Sequence, residues 1–233
     1  MLKSLQCSAH SLQSLSRKRE LVKRLSFCLD IQNYYDYFDH LWFKGGGQIT
    51  TVGDITPSYC SLPAPVLSDI KRELERRGFT VKVIFLMRDP IERIWSMVRM
   101  IRRNKLKSNP SLEISSELKH LERIYVQPGC EANTRYEMTV TNLELVFDQE
   151  NIFYSCYENL FEDETIDQLA AFLGLADFTP DKVLKVNNSD KSESLMELNE
   201  ELASKLFSYY RETYEFCFKR FGIKELWPGW KYS

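Results

Sequence analysis

The sequence predicts an α/β fold in which a buried parallel strand leads directly into a helix. Residues 81–87 form a β-branched and apolar run (Val81, Val83, Ile84, Phe85, Leu86, Met87), apolar on both faces as a strand inside a parallel sheet must be. The run stops at Arg88-Asp89-Pro90. Asp89 suits an N-cap, Pro90 suits the first helical position, and Glu92 falls where a capping box places its second member. Helical stripes elsewhere, such as Leu195, Leu198, Leu202, Leu206 and Tyr209, supply core-facing helices.

In chain order, Leu12, Leu15, Leu21, Val22, Leu25 and Leu29 predict an amphipathic helix within residues 1–30, a stretch rich in Ser, Leu, Lys and Arg. An aromatic segment from Tyr34 to Phe43 follows, then a strand at about 49–53 and a helix at about 63–77 ended by Gly78. After the strand at 81–87 and its helix, loops at 104–110 and 127–133 flank a middle helical segment, with Pro128-Gly129 as a turn signal. A strand from Asn151, a helix at about 164–173, a loop around Pro180 and a final amphipathic helix complete one domain of 233 residues. There is no internal repeat and no low-complexity block.

The junction at Arg88 reads as an anion site. A strand end followed at once by a helix N-terminus offers free N–H groups and the positive end of a dipole, and Arg88 adds a cation. The plainer alternative is a capped turn carrying a surface arginine. Arg88, Asp89, Pro90, Arg93 and Ser96 spell RDPxxRxxS, which resembles the motif with which sulfotransferases hold the 3′-phosphate of 3′-phosphoadenosine 5′-phosphosulfate (PAPS). The resemblance gives the phosphate contacts to Arg88 and Ser96, with Arg93 beside them in the cofactor site.

Further matches lie on both sides. Gly53-Asp54-Ile55-Thr56-Pro57-Ser58-Tyr59 is similar to the family's G-E-x-[ST]-P-x-Y segment, which follows a short strand, here Ile49 to Val52. The run from Asn151 to Leu160 resembles the family's strand and E-[DN]-L turn, and Ala171-Phe172-Leu173-Gly174-Leu175 its FLGL helix end. The resemblance covers about residues 33–230 and implies a three-layer P-loop-like parallel sheet flanked by helices. It also implies PAPS as co-substrate, no metal, and an acceptor hydroxyl or amine on a glycan or small molecule. Tyr59 and Tyr136 are its candidates for the acceptor pocket.

The departure from the family is at the front. Sulfotransferases begin with a strand and a P-K-x-G-T-T type loop that cradles the 5′-phosphosulfate, and no such loop is found here. Lys44-Gly45-Gly46-Gly47 lacks a preceding apolar strand and reads as a surface turn. The first strand and the phosphate loop are thus expected to be missing, and the helical residues 1–30 are atypical of the family. An incomplete sheet has apolar strand edges that close together, accept another segment or recruit a second chain as an oligomer. Transfer by this chain alone is expected to be weak, and a noncatalytic nucleotide-binding or assembly module is the alternative.

Catalytic candidates are sparse. Asp54, beside the PxY turn, and His40 are the two groups placed to act as a base or to orient an acceptor, and each has an equally ordinary capping or surface role. Arg99, Arg102, Arg103, Lys105 and Lys107 form a basic helix end or an anion-greeting cluster. With 31 Lys and Arg against 33 Asp and Glu, the chain has no field suited to nucleic acid. The six cysteines show no metal-binding or disulfide spacing. Neither a signal peptide nor a membrane-spanning run is legible, so the sequence predicts a cytoplasmic protein without a membrane partner.

Overall fold

The structure, a computed structural model, describes residues 18, 21–109, 117–175 and 200–232. These fall into two compact units. One takes in the described residues up to Ile55 together with Arg72–Thr80, and the other Thr56–Lys71 with the described residues from Val81 onward.

In the first unit, residues 21–29 are helical and helix α1 spans Gln32–Lys44. Tyr35 and Phe38 of α1 are buried, and Phe27, Tyr34 and Phe38 meet edge to face. Arg77 pairs with Asp36, Asp39 and Glu73 and stacks over the Tyr35 ring at 5.6 Å. The expected apolar stripe is solvent-facing where it is described, since Leu21, Val22, Leu25 and Leu29 are all exposed. Leu12 and Leu15 lie outside the described residues. Gly46 and Gly47 take positive φ and close the end of α1, so the glycine run is the turn expected of it.

The strand expected at 49–53 is not formed, and residues 48–56 have no regular structure. A strand is stable only when a neighbour takes up its backbone N–H and C=O groups, and no described strand lies beside this one. Helix α2, Ala64–Arg76, matches its expected span. It stops in a Schellman motif, with Phe79 N–H donating to the Leu74 carbonyl, Gly78 N–H to the Glu75 carbonyl, and Gly78 at φ +88°.

The second unit is mixed α/β and mostly helical. It holds strand β1 (Val83–Met87), helices α3 (Pro90–Ser108), α4 (Glu117–Ile124) and α5 (Tyr136–Val146), strand β2 (Ile152–Cys156), and helices α6 (Asp163–Leu173), α7 (Glu200–Tyr209) and α8 (Arg211–Phe221). Two short 3₁₀ turns, Lys224–Leu226 and Pro228–Tyr232, follow. β1 and β2 pair in parallel with Val83 opposite Ile152 and Met87 opposite Cys156, and they are the only described strands.

β1 is not buried on both faces as its composition suggests. Phe85 and Met87 enter the core, whereas Ile84 and Leu86 on the opposite face are 40% and 39% exposed. Phe172 of α6 reaches that second face at Phe153, with ring centroids 5.5 Å apart, but leaves Ile84 and Leu86 partly open. The core gathers Ile91, Ile94, Trp95 and Val98 of α3 with Leu206, Tyr210, Tyr214 and Trp227.

The final helix also differs from its expectation. It breaks at Tyr210, whose backbone leaves the helical region and whose fully buried hydroxyl donates to the Tyr125 carbonyl. Leu202 and Leu206 are buried as the stripe requires, and Leu195 and Leu198 lie outside the described residues.

Candidate functional site

The β1–α3 junction is organised by Asp89. Its backbone sits at φ −43°, ψ 121°, outside the helix, and its Oδ1 accepts from Ile91 N–H at 2.9 Å and Glu92 N–H at 3.2 Å. Two of the helix's orphan donors are thereby satisfied, and Pro90 at the next position has none to satisfy. The carboxylate is fully buried and takes two further donors from far along the chain, Tyr214 Oη at 2.8 Å on Oδ1 and Gly229 N–H at 2.6 Å on Oδ2. Burial pushes this carboxyl upward from the usual aspartate range, while the bonds from Tyr214 and Gly229 pull it back. With its acceptor sites so occupied, Asp89 is a staple of the junction and not a base.

The capping box takes a different partner from the one its sequence suggests. The N–H of Asp89 donates to Glu158 Oε1, 3.2 Å away at the turn after β2, and not to Glu92. Glu92 turns instead to Arg88, whose Nη2 lies 3.3 Å from Glu92 Oε2. The Arg88 guanidinium stacks over Tyr157 at 4.9 Å and its side chain keeps 27% exposure. Glu92 contacts the Arg88 guanidinium, and Glu158 lies close enough to feel its charge. Burial raises Glu92 and Glu158 above the ordinary range, Arg88 lowers both, and their mutual repulsion with Asp89 adds to the rise.

Ser96 is partly buried on α3, one turn beyond Glu92. Residues four apart on a helix share a face, so Ser96 follows Glu92 along α3, about 10 Å along the axis from the cap, while Arg88 precedes the cap and lies outside the helix. Arg93 departs from this line and donates from Nη1 to Thr134 Oγ1 at 3.0 Å, which joins α3 to the turn Pro128–Glu131 and its following residues. Tyr136 is in the core, and its hydroxyl donates to the Arg88 carbonyl at 2.9 Å. Burial holds that phenol well above its usual value. Tyr136 thus fixes the backbone from which Arg88 projects.

Tyr59 is partly buried in the 3₁₀ turn Pro57–Ser61. That turn is tied down by Thr139 Oγ1 donating to the Cys60 carbonyl at 2.8 Å and by Cys60 Sγ donating to Asn133 Oδ1 at 3.2 Å. Asp54 and His40 belong to the first unit and are exposed, Asp54 in the irregular segment and His40 on α1. In the basic cluster, Arg99 is buried beside Trp95, whereas Arg102, Arg103, Lys105 and Lys107 are exposed. No metal-holding group of three His, Cys, Asp or Glu occurs among the described residues. No helix of the described residues is long and apolar enough to cross a membrane.

Four residues at the junction had no role in the sequence reading. Glu158 lay in the segment likened to the E-[DN]-L turn, and Pro228-Gly229 is an ordinary turn signal. Tyr157 and Tyr214 carry no local signal, because their partners lie 69 or more positions away or across a helix. Compared with family models, with curated proteins and with solved structures, the chain matches none of them.

Proposed function

We propose that this chain is a sulfotransferase-like protein that recognises the 3′-phosphate of PAPS at the β1–α3 junction. The observation that carries the reading is a partly exposed Arg88 at the end of a parallel strand, directly before the Asp89-capped start of the helix that bears Ser96. A guanidinium grips phosphate bidentately and a hydroxyl further along the helix supplies a neutral donor, while the first N–H groups of the helix are already taken by Asp89, so the grip rests on side chains. Tyr136 and Asp89 hold the backbone on either side of that grip.

In the reaction so proposed, an acceptor hydroxyl or amine attacks the sulfur of PAPS in line. A new oxygen–sulfur or nitrogen–sulfur bond forms, the bond from sulfur to the 5′-phosphate oxygen breaks, and the nucleotide leaves as the 3′,5′-bisphosphate. The acceptor proton passes to solvent or to a general base. The fuller fold belongs to the same proposal: a three-layer P-loop-like sheet in which a further segment or second chain pairs with the free edge of β1.

One observation favours binding without transfer by this chain alone. Gly45, Gly46 and Gly47 end a helix and do not join a strand to a helix, so they form no cradle for the 5′-phosphosulfate. Loss of a single oxyanion donor lowers rates by about 10²- to 10³-fold, and a whole cradle is worth more.

Titration calorimetry with adenosine 3′,5′-bisphosphate and with adenosine 5′-phosphate tests the reading. The bisphosphate should bind more tightly, and R88A and S96A should each weaken it, R88A by about 10- to 100-fold, as a charged hydrogen bond warrants. Equal affinity for the two nucleotides overturns it. A sulfate-transfer assay with PAPS then separates the enzyme from the binding module.

A further inference from the structure

Arg88 has five N–H donors, yet among the described residues its side chain makes one hydrogen bond, to Glu92 at 3.3 Å. That is longer than the 2.7–2.9 Å usual for a charge-assisted pair. The contact is loose and single, on a side chain that still faces solvent. Among the described residues the Glu92 carboxylate has no second hydrogen-bond partner. The helix donors at its position go to Asp89, and the reciprocal bond of the capping box goes to Glu158.

We infer that Glu92 is an internal counter-anion for Arg88, which an incoming nucleotide phosphate must displace, and that this exchange sets the affinity of the site. The inference rests on the proposed 3′-phosphate site and adds to it a positioning residue that acts through Arg88. The charged groups facing Glu92 are Arg88, Asp89 and Arg99 of its own segment and Glu158 from the turn after β2. A phosphate dianion placed on Arg88 therefore meets the carboxylates of Glu92 and Glu158 at close range. The repulsion is relieved if Glu92 swings into solvent or takes up a proton. Burial already raises the Glu92 carboxyl above the usual glutamate range, which makes proton uptake easier there than on an exposed glutamate.

The test is calorimetry on the full chain at several pH values between about 5.5 and 8, with adenosine 3′,5′-bisphosphate and adenosine 5′-phosphate as probes, on wild type, E92Q and E92D. At the upper end E92Q should bind the bisphosphate about tenfold more tightly than wild type, the scale of one like-charge contact removed near a surface. The ratio should be smaller at the lower end, where protonation of wild-type Glu92 is favoured. E92D, which keeps the charge, should stay close to wild type, and adenosine 5′-phosphate should not distinguish the variants. Thermal unfolding checks each fold, and E92A carries the same expectation should E92Q unfold.

A bisphosphate preference in wild type with no tightening in E92Q overturns the inference and leaves the phosphate site standing. A gain shared by E92D, which keeps the charge, traces to packing and overturns it as well. Equal binding of both nucleotides by every variant removes the phosphate site and the inference together.

Discussion

Asp89 accepts from four donors that come from its own helix, from α8 and from the turn Pro228–Tyr232. Asparagine would keep one acceptor oxygen and turn an NH₂ group towards donors it cannot accept from. We expect D89N to lower stability by about 2–4 kcal/mol in urea unfolding, since at least one buried donor loses its partner. Glu158 calls for a different measurement. Its folded-state pKa lies above the unfolded value, chiefly through burial, so the folded state holds more protons over that interval. The contribution of Glu158 to stability is then greatest below the ordinary glutamate value of about 4.3 and is lost as pH rises through the folded value. Glutamine retains an acceptor for Asp89 N–H and does not ionise in this range. E158Q should flatten the decline in denaturation midpoints measured across pH, and an unchanged profile would contradict this account.

At the scale of elements, the two faces of β1 make opposite demands. Phe85 packs edge-on to Tyr136 at 5.6 Å and is buried, whereas its neighbour Leu86 is partly open. F85A should cost about 3–5 kcal/mol and L86K about 0.5 kcal/mol or less, both measured by chemical denaturation. If L86K cost as much as F85A, the open face would in fact be packed. This difference was hidden in the sequence, because an apolar residue records what a face tolerates and not what covers it. Local signals were legible. The Asp89 cap, the Gly78 stop and the FLGL end each work within a turn of helix. Gly174 at φ +72° closes α6, with Leu175 N–H donating to the Ala170 carbonyl at 2.9 Å. Long-range choices were not legible. Glu92 satisfies the capping-box pattern, but Glu158 arrives from β2 and takes the bond. Residues 49–53 have strand composition and no described neighbour to pair with. At the break, the buried Tyr210 hydroxyl bonds the Tyr125 carbonyl, a partner 85 positions away.

Across the second unit, the late residues complete an early element. Trp227 is fully buried among the rings of Tyr136, Tyr214 and Phe218, and Gly229 lies directly against the Asp89 carboxylate. A methyl group at Gly229 would come within 2.7 and 2.9 Å of the two Asp89 oxygens and would clash with Tyr214 Oη. We expect G229A to cost more than about 2 kcal/mol in urea unfolding, because buried backbone and ring leave little room to yield. It should also weaken nucleotide binding in calorimetry by loosening the turn that projects Arg88. Unchanged stability would mean that the turn Pro228–Tyr232 can shift freely. Synthesis proceeds from Asp89 towards Gly229, and 140 positions separate them. While it is still being translated, the nascent polypeptide carries a helix start lacking two of its four eventual ties. Its arginine gains a settled mounting only after the ribosome has passed the codon for Gly229.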